Sequence, residues 1–197
     1  GGELIHHTLK PNVVNTSGVV AEILKSSSSR GNLATEAAAF VQYEMQPAPK
    51  VRISAGIRGS SAVVGNTTYF NPEPRLAVRY LLDENSSLKA SYSRMAQYLH
   101  RVSSSAISSP TDIWYPVTDS IKPQTADQVG IAYQRNLPRY NTMFSVEAYY
   151  KNMQQLVGYE EGTNLFFNTD FASSLLQVDG KAYAYEFLIR KQAGKFT

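Results

Sequence analysis

The sequence predicts an all-β protein with about eight long antiparallel strands. Polar and apolar residues alternate in segment after segment, as they do when successive side chains point to opposite faces of a sheet. The chain also carries 13 Tyr and 8 Phe, residues that favour strands. No apolar run reaches the roughly 18 residues that a membrane helix needs. A membrane protein of this sequence could therefore only be a transmembrane β-barrel, since only helices and closed barrels satisfy their backbone groups in lipid.

The clearest strand covers residues 50–58. Val51, Ile53, Ala55 and Ile57 share one face of this segment, and arginine, serine and glycine occupy the other. The same alternation predicts further strands at 33–46, 74–82, 87–99, 125–135, 142–152 and 181–191.

Two of these segments depart from the simple pattern. Residues 33–46 are rich in alanine and therefore also suit a helix, but their alternation favours a strand. Arg94 interrupts the apolar face of the strand at 87–99.

The connections between strands come in two kinds. Short turn-forming stretches at 46–49, 83–86 and 137–141 alternate with long polar connections at 11–32, 60–73, 100–123 and 158–180. Short turns at one end and long loops at the other are typical of outer-membrane barrels. Predicted strands of roughly 9 to 14 residues also suit a tilted membrane crossing better than a globular sheet.

One face of the predicted strands is strongly charged. Its polar members are Glu36, Gln42, Glu44, Arg52, Arg58, Arg75, Arg79, Lys89, Glu147, Lys151, Glu186 and Arg190. If the apolar face meets lipid, these side chains line a lumen. The alternative is an ordinary solvated or ion-paired sheet face, and no single residue is assigned a substrate contact.

The residues that would carry catalysis are missing or badly spaced. The absence of Cys excludes disulfides, thiol catalysis and thiolate metal sites. His6 and His7 are adjacent and point to opposite faces of a strand, which is poor spacing for a metal site. Neighbouring acids lie in connections, and no HExxH, GxSxG or phosphate-loop motif occurs. We therefore expect no catalytic residue, no metal and no cofactor, and a protein that is not an enzyme.

The net charge of +3 is spread along the chain and forms no basic block, so no nucleic-acid partner is expected. The candidate ligand-binding residues lie in the long connections. They are Asp112, Trp114 and Tyr115 in 100–123, and Tyr69 in 60–73. An exposed Trp–Tyr pair can stack on a sugar or an aromatic ligand. The alternative is that Trp114 and Tyr115 only anchor the loop onto the rim of the barrel.

Several motifs in order resemble one family. The run NPEPRLAVRY at 71–80, a short turn, and LKASYSR at 88–94 resemble paired strands of TonB-dependent receptor barrels. The segments 121–128 and 144–151 look like the next pair, and 182–189 is similar to a later strand, with Ala184 where the family usually has Gly. The loop motif SPTDIWYP at 109–116 resembles a subgroup that also carries a carboxypeptidase-regulatory-like N-terminal domain.

This resemblance implies a fold, a place and a function. Residues 1–197 would be a single fragment of a TonB-dependent receptor β-barrel domain, with the plug and N-terminal domains absent. The parent would lie in the outer membrane and import a siderophore, cobalamin, glycan or peptide. Its implied partners are outer-membrane lipid, the TonB energy complex acting through the plug, a small nutrient ligand and a surface lipoprotein.

Two other classes of protein share the strand alternation. A soluble β-sandwich or small β-barrel that binds carbohydrate or lipid would bury the apolar face in a closed core. A hydrolase on a β-scaffold would need a nucleophile and a base, and the sequence offers no convincing pair. An isolated barrel fragment would leave two open edge strands, so we also expect it to self-associate through them.

Overall fold

The computed structural model of the chain describes residues 1–9, 32–102, 113–159 and 175–191. The strands are β1 (Gly2–Leu9), β2 (Asn32–Ala48), β3 (Val51–Val64), β4 (Thr67–Leu81), β5 (Ser86–Gln97), β6 (Leu99–Val102), β7 (Ile113–Pro116), β8 (Gln124–Leu137), β9 (Thr142–Tyr159) and β10 (Leu175–Lys191). A single 3-10 turn at Pro138–Tyr140 joins β8 to β9. Within these residues, no helix has both the length and the apolar character that a membrane crossing requires.

Eight of the strands form one antiparallel sheet in the order β1-β2-β3-β4-β5-β8-β9-β10. Each strand pairs with its neighbour in the chain, except that β6 and β7 leave the sheet as a separate hairpin between β5 and β8. The all-β antiparallel prediction is confirmed, including the strand at 33–46, which lies within β2. The result is a continuous up-and-down wall of the kind from which barrels are built.

The prediction of a long connection at 60–73 is wrong. Strands β3 and β4 continue through it and pair up to a two-residue turn at Gly65 and Asn66, where Gly65 has a φ of 57°. Pro72 and Pro74 lie in this stretch of β4, and proline lacks the N–H donor that pairing on both sides requires. Strand β5 pairs only with the second half of β4, which begins at Arg75. On the side of β4 that faces β5, both prolines therefore lie in a stretch without a partner strand, where no N–H donor is needed.

The other predicted connections are partly strand. The segment 100–123 contains most of the β6–β7 hairpin, and the ends of 158–180 belong to β9 and β10. Most of 11–32 lies outside the described residues. The strands are consequently longer than the alternation alone indicated, reaching 17 residues in β2 and 18 in β9. We call the end of the sheet where β5 passes into β6 the loop end, and the opposite end the turn end.

The cross-strand register divides the sheet into two faces. The twelve polar residues predicted to share a face do so, because register pairs such as Arg58 with Glu73 and Arg79 with Lys89 link them strand by strand. The opposite face is apolar and open. Val41 is 65% exposed and Phe187 is 73% exposed, in a sheet that buries few large hydrophobic side chains.

Arg94 lies on the apolar face, in a row of polar residues that borders the apolar side chains of that face. Another row crosses β5, β8, β9 and β10 in register, two positions nearer the turn end than Arg94. It consists of Tyr92, Val129, Tyr150 and Tyr183. The next row towards the loop end contains Arg94, Asp127, Asn152 and Lys181. An Arg94 nitrogen lies 3.8 Å from an Asp127 carboxylate oxygen, and the Tyr92 hydroxyl donates to the other oxygen at 2.7 Å. The interruption seen in the sequence is therefore an ion-paired boundary of the apolar band.

Candidate functional site

One segment of the chain folds onto the polar face at the loop end. We call residues 98–102 and 113–123 the inner segment. It includes the β6–β7 hairpin, in which β6 contacts β9 and β7 contacts β1. Most of the buried residues in the described part of the chain gather here, among them Ala62, Tyr98 and Val117, which pack against each other. The inner segment therefore crosses the polar face from one flank of the sheet to the other.

The hydroxyl group of Tyr98 is the centre of a buried hydrogen-bond network. It lies 2.8 Å from the Ser60 hydroxyl, donates to the Ser60 carbonyl oxygen at 3.0 Å, and accepts a bond from the Asn71 side-chain amide at 2.9 Å. The Ser60 hydroxyl in turn donates to Glu73 at 2.5 Å. Because Ser60, Asn71 and Glu73 all project from β3 and β4, this network fixes the start of the inner segment to those strands.

Glu73 brings charge into this network. Its side chain is 5% exposed, and its two oxygens lie 3.7 Å from Arg58 and 3.9 Å from Arg75. Arg58 also contacts Glu3 on β1 at 3.1 Å. A buried carboxylate is costly unless it is paired and hydrogen-bonded, and Glu73 has both kinds of partner.

Further contacts hold the second half of the inner segment. The Tyr69 hydroxyl donates to the Thr118 carbonyl oxygen at 2.6 Å. The side-chain amide of Gln177 on β10 accepts from the Lys122 backbone N–H at 3.1 Å and donates to the Lys122 carbonyl at 2.8 Å. These bonds anchor the segment at β4 and at β10.

The four candidate ligand residues do not form one cluster of exposed side chains. Trp114 is 47% exposed, while Tyr115 is 8% exposed and lies on the buried side of the hairpin. Tyr69 belongs to β4 and its hydroxyl is occupied by Thr118. Asp112 lies outside the described residues. Only Trp114, among the three that are described, presents a large surface to solvent.

His100 is the cross-strand partner of Tyr115 and is 1% exposed. Neither ring nitrogen has a hydrogen-bond partner in the described part of the chain. Burial lowers the pKa of His100 from 6.5 to about 4, because the charged imidazolium would lose its hydration. At ordinary pH His100 is thus a neutral imidazole, and its ring nitrogens make no hydrogen bond to the residues that the structure describes.

Sequence reasoning did not predict the contacts of Tyr98, Ser60 or Gln177. The bond between Tyr98 and Ser60 joins residues 38 positions apart, and the bond between Gln177 and Lys122 joins residues 55 positions apart. Period-two alternation carries no information about such pairs. The one available signal was Asn71 and Glu73 in a stretch with two prolines, which marked β4 as unusual.

No group of three or more His, Asp or Glu side chains is arranged to hold a metal ion in the described ranges. A hollow of about 430 Å³ lies on the turn half of the polar face. Charged side chains of both signs line it, including Glu44, Arg52, Arg79, Glu147 and Glu186.

Several solved structures are similar to this sheet in fold. The FrpB iron transporter from Neisseria meningitidis (F3-3 variant) is similar over 98% of this chain and 30% of its own, with 12% identity and a TM-score of 0.66. The alcaligin outer-membrane receptor FauA from Bordetella pertussis is similar over 87% and 30%, with 12% identity and a TM-score of 0.55. The ferripyoverdine receptor of the Pseudomonas aeruginosa outer membrane is similar over 81% and 21%, with 14% identity and a TM-score of 0.54.

The chain thus spans between 21% and 30% of the length of these structures. At such low identity the likeness concerns the fold alone. A search of curated protein sequences found no match.

A family model supplies the stronger finding. The model described as "TonB dependent receptor-like, beta-barrel" matches residues 7–185, which is most of the chain. The match agrees with the antiparallel sheet, its apolar outer face and its charged inner face. Barrels of this family lie in the outer membrane, so the outer membrane is the location of this barrel. The chain belongs to the TonB-dependent receptor family and forms part of its β-barrel.

Proposed function

We propose that residues 1–197 are a single fragment of the barrel wall of an outer-membrane transporter that imports a nutrient. The observation that carries this proposal is the division of one eight-stranded sheet into an exposed apolar face and a charged face. Such a sheet separates lipid from a polar interior. The plug and N-terminal domains would lie outside this sequence, and the TonB energy complex would act through the plug.

The class of nutrient is the finer part of the proposal. The similar structures are described as a receptor for ferripyoverdine, a receptor for alcaligin and an iron transporter. These descriptions favour a ferric chelate as the cargo, ahead of cobalamin, a glycan or a peptide. The proposed protein acts by binding and transport and is not an enzyme. Its further partners are lipid, the nutrient ligand and a surface lipoprotein, with no nucleic acid among them.

We assign the ligand contact to the inner segment. Trp114 is its exposed aromatic side chain, and Tyr115 supports the hairpin from the buried side. Asp112 and Tyr69 stay candidates, Asp112 through its place beside the hairpin in sequence and Tyr69 through its bond to Thr118. A rigid aromatic side chain loses little entropy on binding, and this makes it an effective anchor.

The test measures binding and uptake by the full receptor that contains this sequence. Radioactive iron would be offered as ferripyoverdine and as ferric alcaligin. The chelate that the receptor binds would then be used to measure the affinity of each variant. Trp114→Ala should weaken binding about tenfold, the loss expected of a central aromatic anchor.

Tyr183→Ala is the matched control, because Tyr183 is 73% exposed but lies on the apolar outer face. It should leave the affinity unchanged. Equal affinity of the Trp114→Ala receptor and the unmodified receptor would remove the ligand assignment. Uptake of cobalamin, a glycan or a peptide in place of a ferric chelate would remove the ferric-chelate class.

The rival soluble β-sandwich requires the alternating Val, Ile and Phe residues to meet in a closed core. In the described sheet Ile131 is 53% exposed and Ile189 is 73% exposed, so they do not. A soluble protein rarely leaves so large an apolar face open to water. This observation favours the membrane barrel.

A further inference from the structure

A groove opens on the apolar outer face where β8, β9 and β10 lie side by side. Its volume is about 410 Å³, and most of its lining is apolar or aromatic. The outer-face side chains that line it are Val129, Ile131, Ala148, Tyr150, Tyr183 and Tyr185. We call these six residues the outer groove.

The register explains why the sheet is concave at this point. Ala148 on β9 is the cross-strand partner of Ile131 on β8 and of Tyr185 on β10. Its methyl group is the smallest of the three side chains, so the larger neighbours project further from the sheet on both sides of it. The outer groove is therefore a recess over a small residue, and it faces the lipid.

The polar row that contains Arg94 borders the outer groove on the side of the loop end. In this row Asn152 is two positions from Tyr150 on the same face of β9, and Lys181 is two positions from Tyr183 on the same face of β10. The long loops of such barrels lie outside the cell and the short turns lie in the periplasm. This end of the groove therefore meets the headgroups of the outer leaflet.

Lys181 has no counter-charge among the residues that the structure describes. The one acid in its row is Asp127, whose two oxygens are taken by the Tyr92 hydroxyl at 2.7 Å and by Arg94 at 3.8 Å. Asp179, two positions further along β10, accepts a backbone bond from β9 at 3.1 Å. A free ammonium group thus lies at one end of an apolar recess.

We propose that the outer groove and Lys181 form a binding site for one lipid of the outer leaflet whose headgroup carries a phosphate. An acyl chain of this lipid lies in the outer groove, and the phosphate accepts hydrogen bonds from the Lys181 ammonium group and the Asn152 amide. Neither of these donors has a partner in the described ranges. A free phosphate would leave the groove unused, so the occupant is a lipid.

Two substitutions separate the two parts of the site. Lys181→Gln removes the charge, so it should weaken the binding of a phosphorylated lipid and leave the binding of an unphosphorylated one unchanged. Ala148→Phe fills the outer groove, so it should weaken the binding of both lipids. Ala148→Leu fills it less and serves as the second variant if phenylalanine prevents assembly of the barrel.

The measurement is native mass spectrometry of the full receptor in detergent, which counts the lipid molecules that each receptor retains. The probes are lipid A, a phosphorylated glycolipid, and the same lipid after removal of its phosphates. The unmodified receptor should bind one lipid A about tenfold more tightly than the dephosphorylated form, the factor expected of one charge-assisted hydrogen bond. Lys181→Gln should abolish this preference.

Two variants outside the site serve as matched controls. Ala55→Phe enlarges a side chain on the outer face of β3, where Ala55 pairs with Tyr43 and Leu76 and does not line the groove. Lys50→Gln removes a cation from the turn between β2 and β3. Both variants should bind lipid A as the unmodified receptor does.

Equal affinity of the unmodified receptor for the two lipids, or unchanged binding in the Ala148 variants, would overturn the lipid site. A receptor dimer without bound lipid that the Ala148 variants dissociate would assign the outer groove to a protein partner and would also overturn it. Lipid binding is measured without any nutrient, so failure of this site is distinguishable from failure of the proposed import.

Discussion

The hydroxyl group of Tyr98 connects parts of the chain that lie far apart in sequence. One phenol oxygen contacts Ser60 and Asn71, and through Ser60 it reaches the buried carboxylate of Glu73. A buried polar network of this kind stabilises one arrangement of the chain, because any other arrangement leaves its members unpaired. At the scale of single residues, the inner segment is held by specific bonds as well as by apolar contact.

His100 gives the inner segment a pH dependence. Its pKa in the folded protein is lowered to about 4, so between pH 6.5 and 4 the unfolded segment binds more protons than the folded one. Stability therefore falls as the pH falls through this window, by about 2 kcal/mol at pH 5 relative to pH 7.5. Amide hydrogen exchange of residues 98–102 in the full receptor, corrected for intrinsic rates, should accelerate about 30-fold.

Two variants give this prediction its control. His100→Leu fills the site with an apolar side chain and should abolish the pH dependence. His6→Leu removes an exposed imidazole that bonds to Thr35 at 2.9 Å, and it should leave the dependence intact. An equal acceleration in the His100→Leu receptor would show that another group is responsible.

The sequence predicted residue orientation better than residue contact. Alternation assigned all twelve polar residues to one face, because a strand fixes the direction of each side chain locally. It gave no sign of the bond between Tyr69 and Thr118, which are 49 positions apart. Tyr69 was accordingly placed in a loop as a ligand candidate, whereas its hydroxyl anchors the inner segment.

At the scale of elements, strand ends were harder to predict than strands. The stretch after Arg58 is rich in serine and the stretch before Arg75 contains two prolines, so neither shows strong alternation. Both are nevertheless strand, because β3 and β4 pair with each other up to the tight turn at Gly65. Pairing supplied by a neighbouring strand overrides weak local preference.

The same substitution at two adjacent residues of β8 should destabilise the barrel at one position and be tolerated at the other. Ile131 is 53% exposed on the outer face, and Ala132 follows it on the polar face beside Glu147. Ile131→Lys places a charge in the hydrocarbon band and should destabilise the barrel by about 2–4 kcal/mol. Ala132→Lys should be tolerated. The amount of heat-modifiable, folded receptor in the outer membrane measures both, and equal amounts would contradict the assignment of the faces.

At the scale of the whole molecule, the sheet described here does not close on itself. Strand β1 pairs only with β2, and β10 pairs only with β9, so each presents an unpaired edge. The outward side chains of β10 are also strongly exposed, with Tyr183, Tyr185, Phe187 and Ile189 all above 70%. In the intact barrel, further strands would cover both edges.

The isolated chain should therefore self-associate even in detergent. Detergent covers the apolar face but offers no backbone partners to β1 and β10, so edge pairing persists. Size-exclusion chromatography with light scattering should give a protein mass above the 21.8 kDa of one chain. One chain per micelle, with aggregation only when detergent is removed, would show that the apolar face drives association and the edges do not.

The polar row on the outer face determines how deep the barrel is immersed. If the protein sank by one row, Arg94, Asp127, Asn152 and Lys181 would enter the edge of the hydrocarbon. The cost of a buried Arg or Lys rises with depth, to about 2–4 kcal/mol at the midplane. If it rose by one row, the tyrosine ring faces below would lose their place at the headgroups. The barrel therefore has a preferred vertical position in the bilayer. If the surrounding lipid became thicker or thinner, the bilayer would deform around the barrel before the barrel changed its depth.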